Sequence, residues 1–180
     1  MSLQTRLAPL IAAVGADIKQ LRADIAAVPS GSGGSDPWTH QALTTARTNS
    51  TVTGADIFTG FAPAANTRYI VDALLSVITQ AGTTGVQTAL LAPTTGITRA
   101  AVKIVSSSST TADKIDNLAL NAYQGATAGI ATLSSLISIQ AIIDVGATPG
   151  AGNVRAAFRS EVAGSTVTIN PGSSMRWRTI

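Results

Sequence analysis

Cysteine is absent from this chain of 180 residues, so disulfides, zinc-thiolate centres and thiol nucleophiles are excluded. Charge is scarce: Asp, Glu, Lys and Arg together make 12% of the residues, about half the usual share. Aromatics are scarcer still, at 4%. The net charge of +3 comes from scattered Lys and Arg, with no basic run and no interleaved stacking residues. A nucleic-acid partner is therefore not expected. No apolar run reaches the ~18–20 residues of a membrane-spanning helix, so no membrane partner is expected either. The single histidine, His40, cannot assemble a metal site alone.

Small apolar and hydroxyl residues fill the space instead. Hydrophobic residues make up 45% of the chain, and 41 residues are Ser or Thr. That composition buries a core and leaves a surface of hydroxyls and small side chains. Such a surface lacks the charge that keeps monomers apart, which suits a subunit covered by other protein.

The N-terminal stretch carries one apolar stripe: Leu7, Ile11, Val14, Ile18, Leu21, Ile25 and Val28. Their spacing alternates four and three, a heptad seam with Ile at every a position and Leu or Val at d. The β-branched seam, without Asn or Lys at a, favours a trimer over a dimer. Asp17 at g and Arg22 at the following e have the spacing of an interchain ion pair. Pro9 suits a helix start, and Pro29 ends the helix. The alternative is an amphipathic helix packed on its own domain, although an a/d stripe is narrower than such helices show. A signal peptide starting at Arg6 and cut after Ala16 is a weaker alternative, because the heptad register runs on past the cut. Residues 1–29 thus read as a coiled-coil anchoring helix, and 30–37, "SGSGGSDP", as a linker.

From residue 38 the periodicity becomes two. Arg68–Thr79 puts Tyr69, Val71, Ala73, Leu75 and Val77 on one face, Leu136–Val145 puts Ile137, Ile139, Ala141, Ile143 and Val145 inward, "VRAAFRSEV" alternates, and "STVTI" and "SMRWRTI" continue the pattern. Shorter strands are expected at Asp56–Phe61, Val86–Leu91, Arg99–Val105 and Lys114–Leu120, between turns such as "AGTTG" and "NPGSS". Eight to ten strands without helical crossovers predict a mainly β domain over 38–180, an antiparallel jelly roll or β-sandwich.

Catalytic chemistry finds little to stand on. No nucleophile elbow, P-loop or dinucleotide fingerprint is present. His40 follows a flexible linker, a poor place to hold a triad. Asp113 and Asp116 form the one close acid pair of the domain; on a loop they would solvate a turn more readily than bind Ca²⁺. Asp72, mid-strand, is expected to be buried and paired with an arginine. No catalytic, cofactor or metal residues are assigned, and the chain is not expected to be an enzyme.

Two blocks carry a resemblance. "FTGFAPAANTRYIVDALLSVITQAGTTGVQTALLAPTTG" (Phe58–Gly96) and "GNVRAAFRSEVAGSTVTINPGSSMRWRTI" (Gly152–Ile180) resemble a domain of tailed-bacteriophage virion proteins. The resemblance implies a trimeric jelly roll of the TNF/C1q type on a short N-terminal coiled coil. It implies a structural role in the virion as a head fibre or capsid decoration, touching other virion proteins through the N-terminal region. It implies no catalytic residue. A tail-associated adhesin that binds a host-surface glycan is the alternative. For that role Trp38, Tyr69, Tyr123 and Trp177 are the candidate platforms, although Trp177, between Arg176 and Arg178, is expected to point into the core or the trimer axis. A cellular TNF/C1q-like module is a third reading.

Overall fold

A computed structural model describes residues 37–106, 114–124 and 135–180. The heptad seam (Leu7, Ile11, Val14, Ile18, Leu21, Ile25, Val28), the Asp17–Arg22 pair, most of the linker and Asp113 lie outside the described residues. Trp38–Ile180 is a compact unit.

Eleven strands and no helix occur among the described residues: β1 (Thr39–Ala42), β2 (Arg47–Asn49), β3 (Ala55–Asp56), β4 (Arg68–Thr79), β5 (Val86–Leu91), β6 (Ile97–Ser106), β7 (Lys114–Leu118), β8 (Ser135–Val145), β9 (Arg155–Ser160), β10 (Val167–Ile169) and β11 (Ser174–Thr179). All pairings between them are antiparallel. The larger sheet runs β1-β11-β4-β8-β6-β7, and β10 joins β4 to β2. The smaller runs β3-β9-β5.

The centre of the large sheet is the β4–β8 ladder, from Arg68 opposite Asp144 to Val77 opposite Ser135. Alternation decides its two faces. Tyr69, Val71, Ala73, Leu75 and Val77 of β4 are buried, as are Ile137, Ile139, Ala141, Ile143 and Val145 of β8. Across from them, β5 and β9 supply Val86, Leu90, Ala156 and Phe158, and all these residues form one core. Two sheets burying facing apolar surfaces across a shared core is the layered solution open to such strands.

Strands β10 and β11 lie end to end along the same edge of β4. Between them Pro171, which has no N–H to donate, and Gly172 at φ 86° interrupt the ladder. The Asn170 N–H reaches the Ser76 carbonyl at 2.8 Å and keeps the broken strand attached.

Two expectations need correction, and two strands add to the expected set. β1 and β2 are strands although "THQA" and "RTN" do not alternate; both are flanking strands held by main-chain pairing to β11 and β10. The expected Asp56–Phe61 strand shrinks to Ala55–Asp56 and an isolated Phe61–Val154 bridge, because Gly60 takes φ 66° and breaks it. Asp116 lies in β7, opposite Ile104, rather than on a loop.

Candidate interaction surface

One face of the large sheet is buried against the small sheet; the other is covered by nothing among the described residues. Its side chains come from the alternate positions of each strand. Because the ladders are in register, they line up in rows that cross the strands.

The central row is polar. It runs His40 (β1), Arg176 (β11), Asp72 (β4), Gln140 (β8), Lys103 (β6) and Asn117 (β7), each opposite the next. Two residues along the strands, the next row is apolar through Ile70, Ile142 and Ala101, with Arg178 at its end. On the other side Leu74, Ser138 and Val105 follow one another, with Ser174 beside Leu74. Beyond the Ile70 row comes a charged one: Arg68, Asp144 and Arg99. The face is banded, and its large apolar members stay exposed: Leu74 at 50%, Ile142 at 46% and Leu136 at 53%.

The acids of this face are already engaged. Asp72 accepts from Arg176 at 3.2 Å, the arginine partner expected for it, but it stands on the outer face with its side chain 27% exposed rather than buried, because its alternate position in β4 points away from the core. Asp144 accepts a two-pronged contact from Arg68 through Nε and, at 2.8 Å, Nη2. The hydrogen bond from Arg68 holds the Asp144 carboxyl below the usual carboxylate range, and the same bond raises Arg68. Both groups are solvent-facing, so the pair contributes modestly to stability. Five cations (Arg68, Arg99, Lys103, Arg176, Arg178) stand against these two acids. The three cations and three acids of residues 1–37 cancel, so the chain's net +3 belongs to Trp38–Ile180.

A groove of about 600 Å³ lies in this face. Ile70, Ala101 and Ile142 supply its apolar lining, and Lys103, Gln140, Asn117 and the Arg176-paired Asp72 line its polar side. Ala101 contributes to the depression because it stands in a row with two isoleucines and is far smaller.

The four aromatics considered as glycan platforms are each engaged within the molecule. Trp38 lies under the guanidinium groups of Arg176 and Arg178, 4.5 and 5.0 Å from the ring centre. Trp177 stacks on Phe61 at 4.9 Å and packs against the core. Tyr69 is buried, meets Phe61 at 4.7 Å, and its hydroxyl accepts from the Ala64 N–H. Tyr123 carries the Arg159 guanidinium over its ring at 4.3 Å. Burial pushes the Tyr123 hydroxyl above the ordinary tyrosine range, with Arg159 pulling the other way.

The outer side of the small sheet is partly covered by its own chain. Asn121 and Gln124 donate main-chain bonds to the Leu90 and Thr88 carbonyls of β5, so residues 121–124 run beside that edge. Tyr123 reaches from there past Arg159 of β9 to Gly54, just before β3. Ala89 and Ala157, opposite each other in β5 and β9, are fully buried. Gln124 turns inward and is itself fully buried: its amide donates to Ser106 at 2.9 Å and accepts from Thr88 at 3.2 Å. This polar trio ties β5 to β6 across the two sheets. Nothing in the local sequence pattern marks it, because its members lie far apart in the chain.

His40 is exposed on β1. No group of three His, Cys, Asp or Glu residues that could hold a metal ion occurs among the described residues. The arrangement suits contact between macromolecules: a broad, banded, grooved face on one sheet, and on the other sheet a face that its own chain partly covers. Comparison of the chain with family models, with curated proteins and with solved structures gives no match.

Proposed function

We propose that this chain is a structural bacteriophage virion protein: a homotrimeric head fibre or capsid decoration subunit whose jelly-roll domain is carried on the N-terminal coiled coil. One observation carries the reading. The two blocks that resemble phage virion domains are neighbours in space in both sheets. The first holds β4 and β5, the second β9, β10 and β11. β4 pairs with β10 and β11 in the large sheet, while β5 pairs with β9 in the small one. A resemblance split by more than fifty residues therefore falls on one contiguous structural unit. The strand order supports a jelly roll, since the chain passes repeatedly between sheets: β3 to β4, β4 to β5, β5 to β6, β8 to β9, β9 to β10.

In this reading the seam Leu7–Val28 gathers three copies, and the uncovered sheet face meets other virion protein. The adhesin alternative draws no support from Trp38, Tyr69, Tyr123 and Trp177, which are all engaged within the molecule.

Multi-angle light scattering on the full chain and on residues 38–180 tests the assembly. The full chain should have three times the monomer mass, and the truncated chain should lose it. A monomeric full chain would overturn the trimer. Deleting residues 1–37 should also stop incorporation into capsids; normal incorporation would sink the anchoring role.

A further inference from the structure

We propose that the groove on the large sheet docks an extended segment of a different protein, one that alternates apolar and acidic side chains. The inference rests on the reading of this chain as an assembly subunit and names the chemistry of its partner.

Two observations select the occupant. The first is charge. Asp72 and Asp144 are each satisfied by an arginine. Lys103, on the groove's polar side, makes no ion pair among the described residues. Laying the same face of a second copy on it would oppose a net three positive charges to three, because Arg68 and Arg176 are matched by Asp144 and Asp72. An acidic partner meets no such penalty, and charge complementarity of this kind favours docking.

The second is spacing. Apolar and polar rows follow one another every two residues along β4, β8 and β6, or roughly 6.8 Å. Alternate side chains on one face of a strand have that same repeat. A segment lying along β8 would set one apolar side chain among Ile70, Ile142 and Ala101. Its next inward side chain, an acid, would meet Lys103 and Gln140. The one after, again apolar, would reach Leu74 and Val105.

The test uses the full chain and two fluorescein-labelled dodecapeptides, repeats of Ile-Ser-Glu-Ser and of Ile-Ser-Lys-Ser, read by fluorescence anisotropy. The Glu peptide should bind at least about tenfold more tightly at low salt, the gap expected of a difference in rim charge. High salt should close that gap. Lys103→Glu should invert the preference, and Ile142→Glu should abolish binding of both peptides. Both residues are exposed, so each variant should melt with the parent. Equal binding of the two peptides, or binding of neither, overturns the proposal. So does displacement of the Glu peptide by heparin combined with indifference to Ile142→Glu, which would make the face a charge-only site for an acidic polysaccharide. A fall in solution mass caused by Ile142→Glu also overturns it, because the face would then belong to a second copy. None of these outcomes depends on capsid incorporation, so failure here leaves the virion reading to its own test.

Discussion

Gly60 shows how a single backbone position directs the chain. Its φ of 66° lies in the left-handed region, and a Cβ there would fall 1.8 Å from the Val154 carbonyl oxygen. The kink it permits swings Phe61 back to bridge Val154, where its ring stacks on Trp177 and meets Tyr69 at a tilt. Gly60→Ala combines left-handed strain with a backbone clash, and should cost at least about 1–3 kcal/mol in urea unfolding. Tyr123 yields a different expectation. Because burial favours its neutral form, the folded state binds the phenolic proton more tightly than the unfolded chain. Stability from this source is complete below the ordinary tyrosine pKa and declines as pH rises from there through the folded value. The melting temperature should therefore fall above about pH 10, and Tyr123→Phe should remove that part of the fall. An equal slope in both proteins would refute the assignment.

Among the elements, β8 holds the centre of the large sheet, with β4 on one side and β6 on the other. Its faces do opposite work, and two substitutions three residues apart should separate them. Ile139 is fully buried and Ile142 is nearly half exposed. Ile139→Ala should cost about 2–5 kcal/mol, whereas Ile142→Ala should stay within about 0.5 kcal/mol. Similar losses for both would place the apolar bands inside the fold rather than on its surface. β4 and β8 were plain in the sequence because every second residue of each is apolar and both are rich in β-branched residues. β1 and β2 were not, since a flanking strand held by main-chain bonds needs no side-chain period. The rows of the banded face were also hidden. They depend on the register between strands as distant as β4 and β8, and one sequence does not print that register. Gln124 was hidden for the same reason: its partners Thr88 and Ser106 come from other elements.

Taken as a whole, the molecule divides its labour between its two sheets. The outer side of the small sheet is partly covered by residues 121–124, while nothing among the described residues covers the outer face of the large sheet. Most of the contacts that stabilise it join residues far apart in sequence: β4 waits for β8, and β11 must insert between β1 and β4. Folding should accordingly be slow for a domain of this size, in the range from milliseconds to seconds typical of such topologies. Stopped-flow refolding of residues 38–180 would check this, and a microsecond phase carrying the full amplitude would contradict it.

The pairing of β1 with β11 has one further consequence. Thr39 stands opposite Trp177, so the two ends of this domain leave the sheet side by side. Joining Ile180 to Trp38 through a few glycines, and opening the chain at the exposed turn at Gly164 instead, would produce a circular permutant that keeps every strand pairing. In that protein, whatever normally precedes Trp38 could be attached at the opposite end of the sandwich. The end of the domain at which an attached segment leaves could thus be reversed without changing a residue of its core.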